Sequence, residues 1–373
     1  MTRGLSRAGA GPGHHGGPAI VLVAGASGLV GAAAVESFAM AGWDVVALSR
    51  RRPETVRDVP FRHLAVDLRD AAATAEAVRD VAASHLVFTA LFEKPGLVRG
   101  WGDDDQMQTN SMMFRHLLDP LVRTLEHVTL LQGTKAYGAH LHPIPVPARE
   151  RQPRDPHPDF YWLQEDHLRE SAAAHGFGWT ILRPQVVVGP THGVAMNLPP
   201  VIGVYAALCR ELGLPFGFPG GAPYATEAVD VRLVADAALW AAGARSARDE
   251  IFNLTNGEAF GWRDLWPALA DELGVEAGPD TPVRLGEFLP AQAAVWDAVV
   301  RREGLRPVPL DALLGESHFY ADFCFAHGAA GAPPPVFVST VKIRQAGFGD
   351  SYDTELSFRH WLRVLTERRV LPG

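Results

Sequence analysis

The stretch Ala19-Ile20-Val21-Leu22-Val23-Ala24-Gly25-Ala26-Ser27-Gly28-Leu29-Val30-Gly31 decides the fold. Ile20 to Val23 is a short β-branched apolar run stopped at once by Gly25, the pattern of a parallel strand buried on both faces. A helical pattern follows through Val30, Ala33, Ala34, Ser37 and Phe38 and ends near Gly42. Glycines at such a turn permit a tight bend and close approach of the backbone to a ligand. The helix start offers N–H groups and the positive end of its dipole to a phosphate. Gly25, Ser27, Gly28, Leu29, Val30 and Gly31 are therefore expected to cradle the pyrophosphate of a dinucleotide.

Outward from this stretch the alternation repeats. Strands are expected over 44–48, 62–66, 85–88, 127–131 and 180–182, the last ending at Arg183-Pro184. Helices are expected over 71–81, 107–125 and 160–174. Prolines at 143, 145, 147, 153, 156 and 158 exclude helix and central strand from the intervening loop. Later come helices over 197–210, 229–242 and 262–273 and an isolated strand at 251–254. This predicts an α/β fold: a Rossmann-type doubly wound parallel sheet with a smaller, interleaved C-terminal substrate lobe. The division expected is a nucleotide-binding core over 19–190 with later elements near 226–260, and a substrate lobe over 191–225 and 261–373. Residues 1–18 are Gly-rich, lack the apolar run of a secretory signal and read as a disordered leader.

Composition narrows the function. The chain has 373 residues, 47 % hydrophobic and 20 % charged, enough for a sizeable core. A net charge of -8 argues against a nucleic-acid partner. No apolar run reaches the length of a membrane span. Cys209 and Cys324 lie far apart, fitting buried thiols in a reducing cytoplasm rather than a disulfide framework. The 15 histidines show no zinc-type spacing, and His140-Leu141-His142 reads as an exposed loop pair, so no metal is expected.

The glycine spacing is G-x-x-G-x-x-G, the short-chain dehydrogenase version of the turn. The end of the second strand reads Ser49-Arg50-Arg51, where an NAD site would carry an acidic residue for the ribose hydroxyl. Two guanidinium groups can clamp a 2′-phosphate, each charge-assisted bond contributing roughly 1.5–3 kcal/mol, so NADPH is the expected cofactor. Asp67-Leu68 is placed for the adenine edge, and Thr89 and Ala90 for the cofactor's flank. The Tyr-x-x-x-Lys pair usual in short-chain dehydrogenases is missing: Tyr161 is followed by Trp162-Leu163-Gln164-Glu165, and Tyr137 by Gly138-Ala139-His140-Leu141.

Leu131-Gln132-Gly133-Thr134-Lys135-Ala136-Tyr137 resembles the L-Q-T-G-x-K-H-Y segment of the progesterone 5β-reductase/iridoid synthase-like enzymes. Phe160-Tyr161-Trp162 with Glu165-Asp166 resembles their N-F-Y-Y-x-x-E-D segment. Arg50-Arg51, Asn110-Ser111, Arg183-Pro184, Met196-Asn197-Leu198, Asn253 and Gly347-Phe348 extend the likeness from about Ala19 to the C-terminus. The stretch 91–106, the Pro-rich loop and 326–335 do not follow the plant members, and Ala90 replaces an aromatic residue.

The resemblance implies NADPH-dependent 1,4-reduction of an activated enone or enal, with Gln132, Arg183, Pro184 and Val186 beside the cofactor. It makes Tyr161 and Lys135 the catalytic pair and Leu141, Met196, Phe319, Tyr320 and Phe348 pocket walls. Hydride arriving at the β-carbon leaves negative charge on the carbonyl oxygen, and a site must hold donors there. Tyr161 would hydrogen-bond that oxygen while Lys135 stabilises the charge and orients the phenol. Tyr137, two residues from Lys135, is the rival for the phenol role. The competing functions are a conventional extended short-chain dehydrogenase (a carbonyl reductase or sugar-nucleotide epimerase) and a non-catalytic NADP(H) sensor. The expected partner is a small-molecule enone, and the expected assembly a monomer or homodimer.

Overall fold

The computed structural model describes residues 19–373; the expected leader lies outside the described residues. Strand β1 (Ile20–Ala24) leads through the glycine turn into helix α1 (Leu29–Met40), and β2 (Asp44–Ser49) follows. Then come β3 (Arg62–Ala65), α2 (Ala71–Val78), β4 (His85–Phe88), α3 (Asp104–Leu121), β5 (His127–Leu131), α4 (Phe160–His175) and β6 (Gly178–Pro184). After β6 the chain runs through β7 (Val187–Val188), α5 (Leu198–Leu212), β8 (Ala225–Glu227), β9 (Val229–Asp230), α6 (Val231–Gly243), β10 (Glu250–Leu254), β11 (Ala259–Gly261) and α7 (Trp262–Glu272).

Seven strands form one sheet in the order β10-β6-β5-β4-β1-β2-β3, with every pairing parallel. Strand order reverses direction beside β1, and that is where α/β sheets bind ligands, at the carboxyl ends of the strands. The strand expected to stand isolated at 251–254 instead pairs with β6, Phe252 opposite Leu182, and closes the sheet. Its five residues carry no such information locally; the partner comes from a strand 70 positions earlier.

Both faces of the sheet are covered, and side-chain alternation divides them. Leu22, Leu48, Phe88 and Leu130 pack with Phe114 and Leu117 of α3 and Leu168 of α4 on one face. Val21, Val23, Val45 and Leu182 pack with Val35 and Phe38 of α1 and Val234 of α6 on the other. Each Val or Leu so buried contributes about 1.5–3 kcal/mol. This explains why β1 reads as an unbroken apolar run: a period of two serves two cores at once. A further core gathers the later helices, with Tyr205 and Leu208 of α5, Trp262 and Trp266 of α7, Trp296, Phe325 and Trp361. Cys209 and Cys324 are buried and unbridged. No helix among the described residues is long and apolar enough to cross a membrane.

Candidate active site

A cavity of about 1540 Å³ opens at the carboxyl ends of the sheet strands. Ordinary small-ligand sites occupy roughly 300–1,000 Å³, so this one has room for a dinucleotide and a second molecule. At one end it is lined by Gly25, Ser27, Gly28, Leu29, Val30, Ser49, Arg50, Arg51, Asp67, Leu68, Thr89 and Ala90. Gly25 has φ +76°, and a Cβ there would meet Ala90 N at 2.6 Å, so the turn must be glycine for β4 to end against it. Gly31 does not line the cavity. It packs on the turn itself, where a Cβ would meet Gly25 O at 2.2 Å, so the bend leaves no room for a side chain there. Helix α1 begins without a side-chain cap, which leaves its first-turn N–H groups for an anion, and that fits the pyrophosphate of a dinucleotide.

The end of β2 also fits a phosphorylated ribose. Arg50 and Arg51 are exposed at the cavity and make no ion pair among the described residues. The acidic neighbour Asp67 is already engaged by Arg69 at 2.6 Å; that guanidinium holds its carboxyl below the usual range.

At the cavity's middle, β5 ends in a short turn, Thr134–Tyr137, that delivers Lys135. Helix α4 begins with Asp159 as its cap, whose carboxylate accepts from Tyr161 N at 3.0 Å, and this places Tyr161 in the first turn facing the same space. The structure brings the two together: Lys135 Nζ lies 5.8 Å from the Tyr161 ring centre, and both line the cavity. Lys135 also sits 4.6 Å from the ring centre of Trp101 and 5.7 Å from that of Phe160. Burial raises the Tyr161 hydroxyl well above its ordinary range, helped by the Asp159 and Glu93 carboxylates, so it stays protonated and a donor. Burial also lowers the Lys135 amine, and Glu93 and Asp159 oppose that fall.

Under these two residues runs a buried polar network. Arg183 Nε donates to Gln132 Oε1 at 2.8 Å, Gln132 Nε2 donates to Glu165 Oε2 at 3.2 Å, and Glu165 meets Arg154 and Arg169, each at 2.9 Å. Gln132 lines the cavity, with Pro184 and Val186, whereas Arg183 does not: its guanidinium points behind β5 into this network, 5.0 Å from the Tyr137 ring centre. Arg183 thus ties Gln132 at the end of β5 to Glu165 of α4. Val186 has φ +41°, a strained conformation for a β-branched residue, where the chain leaves the sheet. Tyr137 is excluded from the cavity, because its hydroxyl donates to Asn253 Oδ1 at 2.7 Å inside the fold.

The far end is lined by Leu141, Met196, Phe319 and Tyr320. Phe348 is not there: it is buried against Trp240, ring centres 5.5 Å apart, in the core on the α1 and α6 face. The helix before it turns the ring inward, something a Gly-Phe pair does not announce. His140, read as exposed, instead lines the cavity between Trp101 and His157, and burial, with Lys135 nearby, lowers its imidazole to about 4. His142 is exposed and pairs with Asp155 at 2.9 Å. No metal-ligating cluster occurs among the described residues. Sequence reading missed Glu93, whose carboxylate Oε1 is 3.9 Å from Lys135 Nζ. The one local signal was an acidic residue five positions past the end of β4, in Leu91-Phe92-Glu93.

The sequence model described as the NAD dependent epimerase/dehydratase family matches residues 21–255. The chain belongs to the NAD dependent epimerase/dehydratase family. Its curated relatives include a short chain dehydrogenase, gsfE, of Penicillium aethiopicum, 30 % identical over 77 % of this chain and 83 % of the relative. Another is an (S)-8-oxocitronellyl enol synthase of Catharanthus roseus, 27 % identical over 95 % of this chain and 92 % of the relative. Among solved structures, a UDP-glucose 4-epimerase of Thermus thermophilus in complex with NAD superposes with a TM-score of 0.63 at 20 % identity, covering 92 % of this chain and 98 % of that one. The UDP-glucose 4-epimerase of Thermotoga maritima does so with 0.66 at 15 %, covering 93 % and 99 %. These two show the shared fold. This member of the epimerase/dehydratase family is an NAD(P)-dependent oxidoreductase of the short-chain dehydrogenase/reductase superfamily, and its likeness to the enol synthases runs over most of its length.

Proposed function

We propose that this protein reduces the C=C bond of activated enones or enals by 1,4-addition, with NADPH as the reductant. One observation carries the reading. The amine of Lys135 and the phenol of Tyr161 face one cavity from separate elements, while the position four residues after Tyr161 holds Glu165, sunk in an arginine network. A conventional carbonyl reductase or epimerase of this superfamily needs a lysine there; a cofactor sensor needs neither the amine nor the phenol.

NADPH, when bound, supplies the hydride. Gly25 to Val30 would hold its pyrophosphate at the start of α1, and Arg50 and Arg51 would meet its 2′-phosphate. Tyr161 donates to the substrate's carbonyl oxygen as charge develops there, and Lys135 adds a positive charge beside it. Because burial keeps the phenol protonated, it binds the oxyanion without surrendering its proton in the hydride step. The carbon next to the carbonyl then takes its proton from solvent. The relative named as an enol synthase fits a product released at that stage.

The test is NADPH oxidation with 2-cyclohexen-1-one, followed by identification of the product. Cyclohexanone supports 1,4-reduction; 2-cyclohexen-1-ol identifies a carbonyl reductase; NADPH binding without turnover on any enone identifies a sensor. Tyr161→Phe and Lys135→Met should each lower kcat by about 10²-fold, the usual loss of an oxyanion donor. Turnover that survives both changes refutes the assignment of the pair.

A further inference from the structure

Glu93 stands out among the cavity's charged groups because its placement is built from the helix behind it. Its Oε2 accepts from Gln106 Nε2 at 2.7 Å, and Gln106 Oε1 accepts from Lys94 N at 2.8 Å. Asn110, one turn further along α3, accepts from Phe92 N and donates to Phe92 O, both at 2.8 Å. Gln106 and Asn110 are almost wholly buried. The segment 92–94 is thereby held to α3 on both sides of Glu93, and a carboxylate is fixed at the cavity wall with its second oxygen turned to Lys135 Nζ at 3.9 Å. The two side chains are 5 % and 14 % exposed. That oxygen forms no hydrogen bond of ordinary geometry.

A lone amine in such surroundings discharges, since removing charge from water costs several kcal/mol unless a counter-charge is near. The rings of Trp101, Phe160 and Tyr161 give Lys135 π-faces. They do not replace a full negative charge. The titratable groups facing Lys135 come from three elements: Glu93 after β4, Asp159 and Tyr161 at the start of α4, and His140 in the loop after β5. Tyr161 stays neutral, and so does His140, whose imidazole falls to about 4. Asp159 is already committed to Tyr161 N and to His157, 3.3 Å away.

We propose that Glu93 is a positioning residue: its carboxylate is the counter-charge that keeps the Lys135 amine charged and seated over Trp101, where the substrate's carbonyl oxygen gains electrons. This rests on the oxyanion role of Lys135 argued above. Burial and charge oppose each other at both groups: desolvation lifts the Glu93 carboxyl and the Lys135 charge resists that rise, while burial lowers the Lys135 amine and Glu93 resists that fall.

The experiment exploits composition. The chain contains three lysines, Lys94, Lys135 and Lys342, so protein labelled with 13Cε-lysine gives three side-chain signals to follow against pH. In Glu93→Gln the Lys135 midpoint should fall by about one pH unit or more, with Lys342 unmoved, and the high-pH limb of kcat/KM should fall with it. Glu93→Asp, which retains the charge but withdraws it, should lie between. A Lys135 midpoint unchanged in both folded variants overturns the proposal, as does a kcat/KM limb that stays put while the midpoint moves. The titration needs no turnover, so the two readings fail separately: a shifted Lys135 in a protein that reduces no enone removes the reductase, and an unshifted Lys135 in an active reductase removes the pair.

Discussion

The hydroxyl of Tyr161 lies over Gly133, so closely that a methyl group on that glycine would come within 3.3 Å of it. Gly133 is extended, with φ -161°, a conformation that alanine adopts freely. Gly133→Ala should therefore fold normally and act through the phenol alone, which must shift by a few tenths of an ångström. Misplacement of a catalytic group on that scale is costly, so kcat should fall about tenfold while the thermal midpoint stays nearly constant. Steady-state kinetics beside a melting curve decides it; unchanged kcat would place the reacting oxygen elsewhere.

The proposed preference for NADPH rests on Arg50 and Arg51, exposed at the end of β2 and uncommitted to any ion pair among the described residues. The double change to alanine should raise the KM for NADPH by about 10²-fold and leave the KM for NADH almost untouched. Equal effects on both cofactors would refute the phosphate clamp.

How much of this was written in local pattern varies by residue. The strand-turn-helix at 20–40 was legible because apolar runs and glycines act within a few positions, whereas Lys135 and Tyr161 stood out through the family resemblance of their segments. Phe348 was misplaced because which way a ring turns depends on Trp240, which sequence leaves about a hundred positions away. Arg183 follows the same logic: from the sequence it ends a strand at the ligand edge, but its partners Gln132 and Glu165 draw it into a buried network and off the cavity wall.

Tyr137 should prove structural. Its buried hydroxyl donates to Asn253 Oδ1, so Tyr137→Phe leaves an acceptor unsatisfied and should cost about 1–3 kcal/mol of stability in denaturant unfolding. Activity at a temperature well below the melting point should stay within about twofold of the parent's, in contrast to Tyr161→Phe.

Acid should destabilise the sheet through two buried imidazoles. His127 is held neutral by burial, with His85 and Arg248 adding to the effect, and its pKa drops to about 3; burial lowers His85 as well. Thr180 Oγ1 spends its one proton on Ala247 O at 2.6 Å, so His127 Nε2 donates to it at 3.1 Å. The unfolded chain takes up a proton on each ring below about pH 6.5, while the folded chain resists it. The stability contributed is thus present above pH 6.5 and lost as pH falls towards 3. From His127 alone the loss between pH 6.5 and 4 is roughly 2–3 kcal/mol. Urea unfolding across that window should show the slope, and His127→Gln should flatten it.

By itself the sequence determined the alternating strands and helices, the glycine turn between β1 and α1 and the place of the arginine pair after β2. These depend on spacing, φ preference and apolar periodicity, which operate over a handful of neighbours. Only the folded chain decided that β10 closes the sheet beside β6, that Tyr161 rather than Tyr137 reaches the cavity, and that Glu93 stands opposite Lys135. Each of those is a meeting between residues tens of positions apart, and it is burial that selects it: a charge or hydroxyl removed from water must find its partner wherever the packed elements leave one.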